Sequence, residues 1–261
     1  GRCEGIGIVV PGMVDRVTGR VLHAPQLGWR DVEVRGPLSL GTGLTAHIEN
    51  APIACALAQI WLGQRGEAAG DFVYVTVSDG VGAGIVVNGE VVRGHDNTAG
   101  EFGHIPIASD GPRCLCGARG CLEAYSSNIA TLSRYLSREL STGVPREQLQ
   151  SMPLTINDLI DRSRDGEERA RAAVVESARY LGLGLGMIIN ALNPSRIFLG
   201  GEITAAWDHI EPVIRAGVKE RALTGAAAAT PIVPAQCGGL PRLRGATALV
   251  AAPVFAAPRV A

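Results

Sequence analysis

The sequence predicts an α/β protein with layered, mixed sheets. Three observations carry that reading. Short apolar, β-branched runs such as 72–77 alternate along the chain with longer stretches of helical periodicity such as 167–192. The run 72–77 is apolar almost without interruption, which is the pattern of a strand buried on both faces. Asn88-Gly89 lies between two β-forming segments and is a strong two-residue hairpin signal, so one sheet must contain an antiparallel pair.

The elements follow in order. Residues 6–10 read as a strand closed by the turn Pro11-Gly12, and 45–48 as a second short strand. Residues 51–63 have apolar positions at Ile53, Leu57, Ile60 and Trp61 with a glycine exit, which predicts a helix. Strand 72–77 and the hairpin 84–87/90–92 come next. Residues 131–140 are amphipathic, with Leu132, Tyr135, Leu136 and Leu140 at helical spacing. Thr155 is placed to cap a helix through residue 161, with Asp158 in the capping-box position. Residues 167–192 form a long helical pattern in which Gly182, Gly184 and Gly186 are expected to permit close backbone packing. A strand at 196–199 ends in Gly200-Gly201, a helix covers 207–222, and the last helix covers 245–254. Residues 226–229 read as a small-residue surface loop. No internal repeat or low-complexity linker is visible in the sequence.

Composition narrows the function classes. The 261 residues are 46% hydrophobic, 19% charged and only 4% aromatic, with 34 glycines, so the core must be Ala/Val/Leu-like and the turns tight. The net charge of −1 gives no chain-wide electrostatic match to nucleic acid or to an anionic membrane. The longest apolar stretch, 180–192, is expected to fall short of the roughly 18 residues that span a bilayer. No signal peptide is recognised, and three of the six cysteines cluster as reduced ligands would, which predicts a cytoplasmic protein without membrane partners. Cys3, Cys55 and Cys237 are expected to be buried small hydrophobes. The chain opens almost directly on a core strand, which suggests further protein before Gly1.

The chemistry concentrates in residues 100–123. His104, Cys114, Cys116 and Cys121 are spaced His-x9-Cys-x-Cys-x4-Cys, with Gly117 and Gly120 letting the loop curl. Three thiolates and one imidazole fill the four sites of Zn2+ and leave no open position for a water, so the expected metal is structural. The alternative is a set of reduced, unliganded cysteines. An iron–sulfur site lacks a nearby fourth cysteine. Glu101 and Glu123 flank the cluster, either as functional carboxylates fixed by it or as solvated loop acids.

Gly100-Glu-Phe-Gly-His104 with Cys114-x-Cys-Gly-x-x-Gly-Cys121-Leu-Glu123 resembles the signature of the ROK family (repressors, open reading frames and sugar kinases). The resemblance extends through Pro11-Gly12-Met-Val-Asp15, His23-Ala-Pro-Gln-Leu-Gly-Trp29, Glu49-Asn50, Val81-Gly-Ala-Gly84, Asn88-Gly89 and 193–201. It implies a two-lobed actin-like, ribonuclease-H-like fold. Residues 1–50, with 245–261 returning to them, would be the remainder of the N-terminal lobe, and 51–244 the C-terminal lobe with the zinc loop. It also implies that Asn50, Glu101, His104 and Glu123 contact sugar hydroxyls. His104 would then serve both metal and sugar. Asn50 has a competing role as helix N-cap, since it directly precedes the 51–63 helix.

The sequence departs from the kinases of that family. They read Asn-Asp-Ala-Asn where this chain reads Asn50-Ala-Pro-Ile53, so Ala51 occupies the position of the general base. A methyl accepts no proton, and losing a general base costs about 10²–10⁴-fold in rate. Pro52 suits the first turn of a helix, so the element survives. Glu49 is expected to point away from the helix start. The kinases' Gly-Thr-Gly-Val-Gly phosphate turn is here Ser78-Asp-Gly-Val-Gly82. Asp79 beside a phosphate would add repulsion of order 4 kcal/mol at about 4 Å and an effective dielectric near 20. The family's Asp-x-Gly-x-Thr hairpin is absent from the sequence and would lie before Gly1.

The expectation is therefore a non-catalytic, sugar-binding and oligomerising core of a ROK-type transcriptional regulator. A winged helix-turn-helix upstream would contact DNA, and the chain would form a homodimer or homotetramer. The alternatives are an ATP-dependent sugar kinase resembling glucokinases or N-acetylhexosamine kinases, and a zinc-braced interaction domain that no longer binds sugar.

Overall fold

The computed structural model describes residues 3–63, 70–140, 152, 154–235 and 240–255. The chain resolves into two compact units. One contains residues 1–74, 84–100 and 236–261, the other residues 75–83 and 101–235.

In the first unit, β1 (Ile6–Val10) pairs in parallel with β5 (Ala46–Asn50), Val10 opposite Asn50. Strands β2 (Met13–Asp15), β3 (Arg20–Ala24) and β4 (Trp29–Glu33) form an antiparallel meander. Val10, Val14, Val21, Ala24 and Ile48 make a small core beneath these strands, sealed by Leu27 and Trp29. Helix α1 (Arg35–Thr42) buries no residue. Helix α2 (Ala51–Leu62) starts where β5 ends and buries Ile53, Ala54, Cys55, Ala56, Ala58 and Gln59.

The terminal helix α9 (Pro241–Phe255) packs on α2 and β1. Gly7 is what lets the α9 backbone approach, because a Cβ there would lie 1.9 Å from the carbonyl oxygen of Ala246. Through this packing α2 groups with the first unit.

A five-stranded sheet has the order β10 (Ile232–Pro234), β9 (Arg196–Gly201), β6 (Phe72–Val77), β7 (Val81–Val87), β8 (Glu90–Val92). The β10/β9 pairing is parallel and the β7/β8 pairing antiparallel, so the sheet is mixed. Asn88 and Gly89 both have positive φ, 53° and 74°, as a type I′ turn requires. β6 is buried at five of its six positions, as its unbroken apolar run predicts.

The second unit's helices are α3 (Leu122–Ser126), α4 (Asn128–Leu136), α5 (Ile156–Arg164), α6 (Glu168–Leu192), α7 (Trp207–Arg221) and the short α8 (Gly225–Ala228). Thr155 and Asp158 form the expected capping box at the start of α5. The glycines of α6 pack as expected. A Cβ on Gly182 would meet the carbonyl oxygen of Ile214 at 2.5 Å, and one on Gly217 of α7 would meet Gly182 at 3.0 Å.

The structure corrects four sequence expectations. Residues 226–229 are not simply loop, because Thr224 caps the single turn of α8. Leu140 lies beyond the end of α4 yet is buried. Cys3 is exposed whereas Cys55 is buried, and Cys237 lies outside the described residues. The apolar stretch is also longer than 180–192 suggested. An 18-residue window of α6 reaches mean hydropathy 1.4, long and apolar enough to cross a membrane, but 67% of it is buried within the protein, as in a core helix.

Candidate functional site

The second unit builds its site from one loop and two short helical turns. Glu101 precedes a 3₁₀ turn, Phe102–His104, and its backbone carbonyl accepts from the His104 N–H at 3.0 Å. This turn brings the His104 Nε2 to 3.7 Å from Glu101 Oε2. The loop then doubles back. Bridges join Pro106 to Cys121 and Arg113 to Arg119, the Ile107 N–H donates to the Gly120 carbonyl at 2.7 Å, and the Cys114 N–H donates to the Ala118 carbonyl at 2.9 Å. Gly120 has φ 73°, and a Cβ there would sit 1.6 Å from the Ala108 carbonyl oxygen, so the doubling-back tolerates no side chain.

The loop brings His104, Cys114, Cys116 and Cys121 together with ligand atoms all within 4.8 Å of one another. Cys114 Sγ lies 3.6 Å from His104 Nδ1, and Cys116 Sγ lies 3.7 Å from Cys121 Sγ. A tetrahedral zinc with Zn–S bonds near 2.3 Å would place its sulfurs about 3.8 Å apart, so the donor set fits the ion in chemistry and spacing. Burial pushes the thiols of Cys114 and Cys121 up. The unliganded thiols therefore hold their protons at neutral pH, and a metal that binds must displace them. With Nδ1 facing the cysteines, Nε2 is left to Glu101, the arrangement by which a carboxylate orients a metal-binding imidazole.

Glu123 lies in the first turn of α3, and Cys121 occupies that helix's N-cap. Glu123 is 7% exposed, so it is not a solvated loop acid. Oε2 accepts from the Val81 N–H at 2.9 Å and Oε1 lies 3.6 Å from Cys114 Sγ. Glu101 is less enclosed, with 29% of its side chain exposed. Burial raises its pKa above the ordinary range, the His104 imidazole opposes that, and the Glu123 charge adds to it. The structure thus gathers Glu101, His104, Glu123 and the three cysteines in one unit.

Asn50 belongs to the first unit, where its Oδ1 accepts from the Ile53 N–H at 3.1 Å and caps α2. Ala51 is the first residue of α2. Glu49 is 2% exposed and fully engaged, with Oε2 at 2.8 Å from Arg93 Nη2 and Oε1 accepting from the Asn50 N–H. The Glu49 carboxylate thus joins the N–H of the N-cap residue Asn50 to the guanidinium of Arg93. Sequence reasoning missed that residue, since an arginine next to the hairpin carries no local signal of it. It also missed the Ser78–Gly82 turn as the anchor of Glu123. The Asn128 N–H donates to the Ser78 carbonyl at 2.7 Å, and Asp79 at the tip is exposed.

Known proteins with similar sequence and structure divide between regulators and kinases. The ROK family pattern matches residues 1–252. A xylose repressor from Caldicellulosiruptor bescii is 33% identical over 201 residues, covering 76% of this chain and 50% of the repressor. A glucokinase from Halalkalibacterium halodurans is 34% identical over 213 residues, covering 78% of this chain and 63% of the kinase. The crystal structure of a ROK family transcriptional regulator, a homologue of the E. coli MLC protein, superposes with a TM-score of 0.79 at 29% identity, covering 95% of this chain and 62% of the regulator. The chain therefore spans half to just under two thirds of the length of these relatives. The sequence motifs, the mixed α/β architecture and these likenesses agree that this chain is a member of the ROK family, with the actin-like fold its kinases and regulators share.

Proposed function

We propose that this chain is the sugar-binding, non-catalytic core of a ROK-type transcriptional regulator, held in shape by a structural zinc. The observation that carries the reading is the start of α2. By the family resemblance Ala51, the first residue of α2, stands at the base position of the kinases, and Glu49, two residues before it, is buried in an ion pair with Arg93. A methyl accepts no proton, and the Glu49 carboxylate is already engaged by Arg93 and by the Asn50 N–H. The carboxylates of the second unit, by contrast, are kept. Glu101, His104 and Glu123 are the proposed sugar contacts there, with Asn50 proposed on the first unit.

Carboxylates suit a polyol because each accepts from two hydroxyls, and a hydrogen bond to a charged group contributes about 1.5–3 kcal/mol. His104, Cys114, Cys116 and Cys121 would hold zinc, which supplies no reaction step but fixes the loop that carries Glu123. The similarity to a xylose repressor and to a ROK transcriptional regulator supports the regulator reading. DNA contact through an upstream winged helix-turn-helix, assembly as a homodimer or homotetramer and a cytoplasmic location belong to the same proposal. The glucokinase relative favours the second reading, an ATP-dependent sugar kinase.

The test is thermal melting with a panel of glucose, xylose, N-acetylglucosamine and N-acetylmannosamine. At least one sugar should raise the melting temperature, and Glu123→Ala should abolish the shift. A flat response across the panel would favour an interaction domain that has lost sugar binding.

A further inference from the structure

On the second unit the protein has a cleft of about 540 Å³, lined by none of the four candidate metal ligands, that the proposed function does not use. Its walls come from the metal loop (Arg113, Arg119), α4 (Arg134, Arg138) and the tyrosines Tyr125 and Tyr180. Four arginines face two glutamates, Glu139 and Glu176, in this lining, and Glu176 is itself drawn toward Arg179 at 4.0 Å. The cleft therefore carries excess positive charge although the chain as a whole carries −1.

The donors are not spent on carboxylates. Arg134 donates to the Ser177 hydroxyl at 2.6 Å, the Tyr125 carbonyl at 3.1 Å and the Ala173 carbonyl at 3.4 Å, all neutral acceptors. Burial lowers its pKa, with the Glu176 charge a partial offset. Arg119 donates to the Gly111 carbonyl at 3.3 Å. Among the described residues, Arg113 and Arg138 form no side-chain hydrogen bond or ion pair. A guanidinium presents a planar fork that matches phosphate oxygens two at a time. Tyr125 and Tyr180 stack with ring centroids 4.1 Å apart and an interplanar angle of 26°, which gives the cleft a flat apolar wall next to the cationic groups.

We infer that this cleft binds a small phosphate monoester, its phosphate held by Arg113 and Arg138 and its organic group laid against the tyrosine pair. Arg134, fixed by its neutral acceptors, adds charge to the same lining. None of the proposed sugar contacts lines this cleft, and the inference does not depend on the regulator reading.

Calorimetric titration of the metal-loaded protein with phenyl phosphate and glucose 6-phosphate tests it, with inorganic phosphate and glucose as controls. Both esters should bind, more weakly as salt rises. Arg113→Ala with Arg138→Ala should weaken them tenfold or more, because each charge-assisted hydrogen bond is worth about that factor. Tyr180→Leu should erase the preference for phenyl phosphate over inorganic phosphate. Melting curves confirm that each variant folds. The inference is overturned if neither ester binds, if inorganic phosphate binds as tightly as both esters, or if the double arginine variant binds them undiminished.

Discussion

At the first position of α2 the side chain is a methyl, and the buried carboxylate two residues before it is already bonded to Arg93 and to the Asn50 N–H. The Glu49–Arg93 pair is nearly dry on the glutamate side, so removing one partner is expensive. Arg93→Ala should destabilise the protein by roughly 3–5 kcal/mol in urea unfolding, the cost of an uncompensated buried charge, while the double variant Glu49→Gln/Arg93→Met should cost less than the single one. Glu123 makes a comparable case, since Glu123→Ala leaves the Val81 N–H without its acceptor and should cost about 1–3 kcal/mol. The His104, Cys114, Cys116 and Cys121 cluster was legible at this scale because one short loop carries all four residues. The bond from Val81 was not legible. It spans 42 positions in sequence, and its donor is a backbone N–H, which any residue supplies.

Among the elements, the long strands and helices followed their periodicity, and the hairpin followed Asn88-Gly89. The meander β2–β4 did not stand out, because its strands are short and mostly half-exposed, leaving little apolar alternation to read. Helix α1 was hidden for a similar reason: it buries nothing and is interrupted by Gly36, Pro37 and Gly41. The crossing of α6 and α7 gives a sharper test. Gly182→Ala would gain helix propensity yet drive a methyl into the Ile214 carbonyl, and the net effect should be a loss of about 1–3 kcal/mol by thermal or urea unfolding. The capping box of α5 makes a pH prediction. The Thr155 hydroxyl lowers the pKa of Asp158, so the folded state binds fewer protons than the unfolded state just below pH 3.8. That stabilisation is present above 3.8 and is lost as pH falls through the folded value. Between about pH 6 and pH 3 the urea midpoint of the native protein should therefore fall more than that of Asp158→Asn.

For the molecule as a whole, the fold class and the family were readable from motifs spread over almost the entire chain. The packing of α9 on α2 was not, because it joins helices far apart in sequence. If zinc braces the loop between Glu101 and Glu123, freshly purified protein should contain about one zinc per chain, the number one closed four-ligand site holds. Chelation or Cys116→Ser should then lower the melting temperature together with the sugar response. Metal analysis that finds no zinc would remove the brace from the proposal. The proposed function is that of a sugar binder that transfers no phosphate. Its most direct test is incubation of the metal-loaded protein with MgATP and glucose, xylose, N-acetylglucosamine or N-acetylmannosamine, followed by mass spectrometry of the sugars. The Ala51 helix start predicts no phosphorylated sugar with any of them, whereas turnover that persists at constant specific activity through further purification would make the protein a kinase.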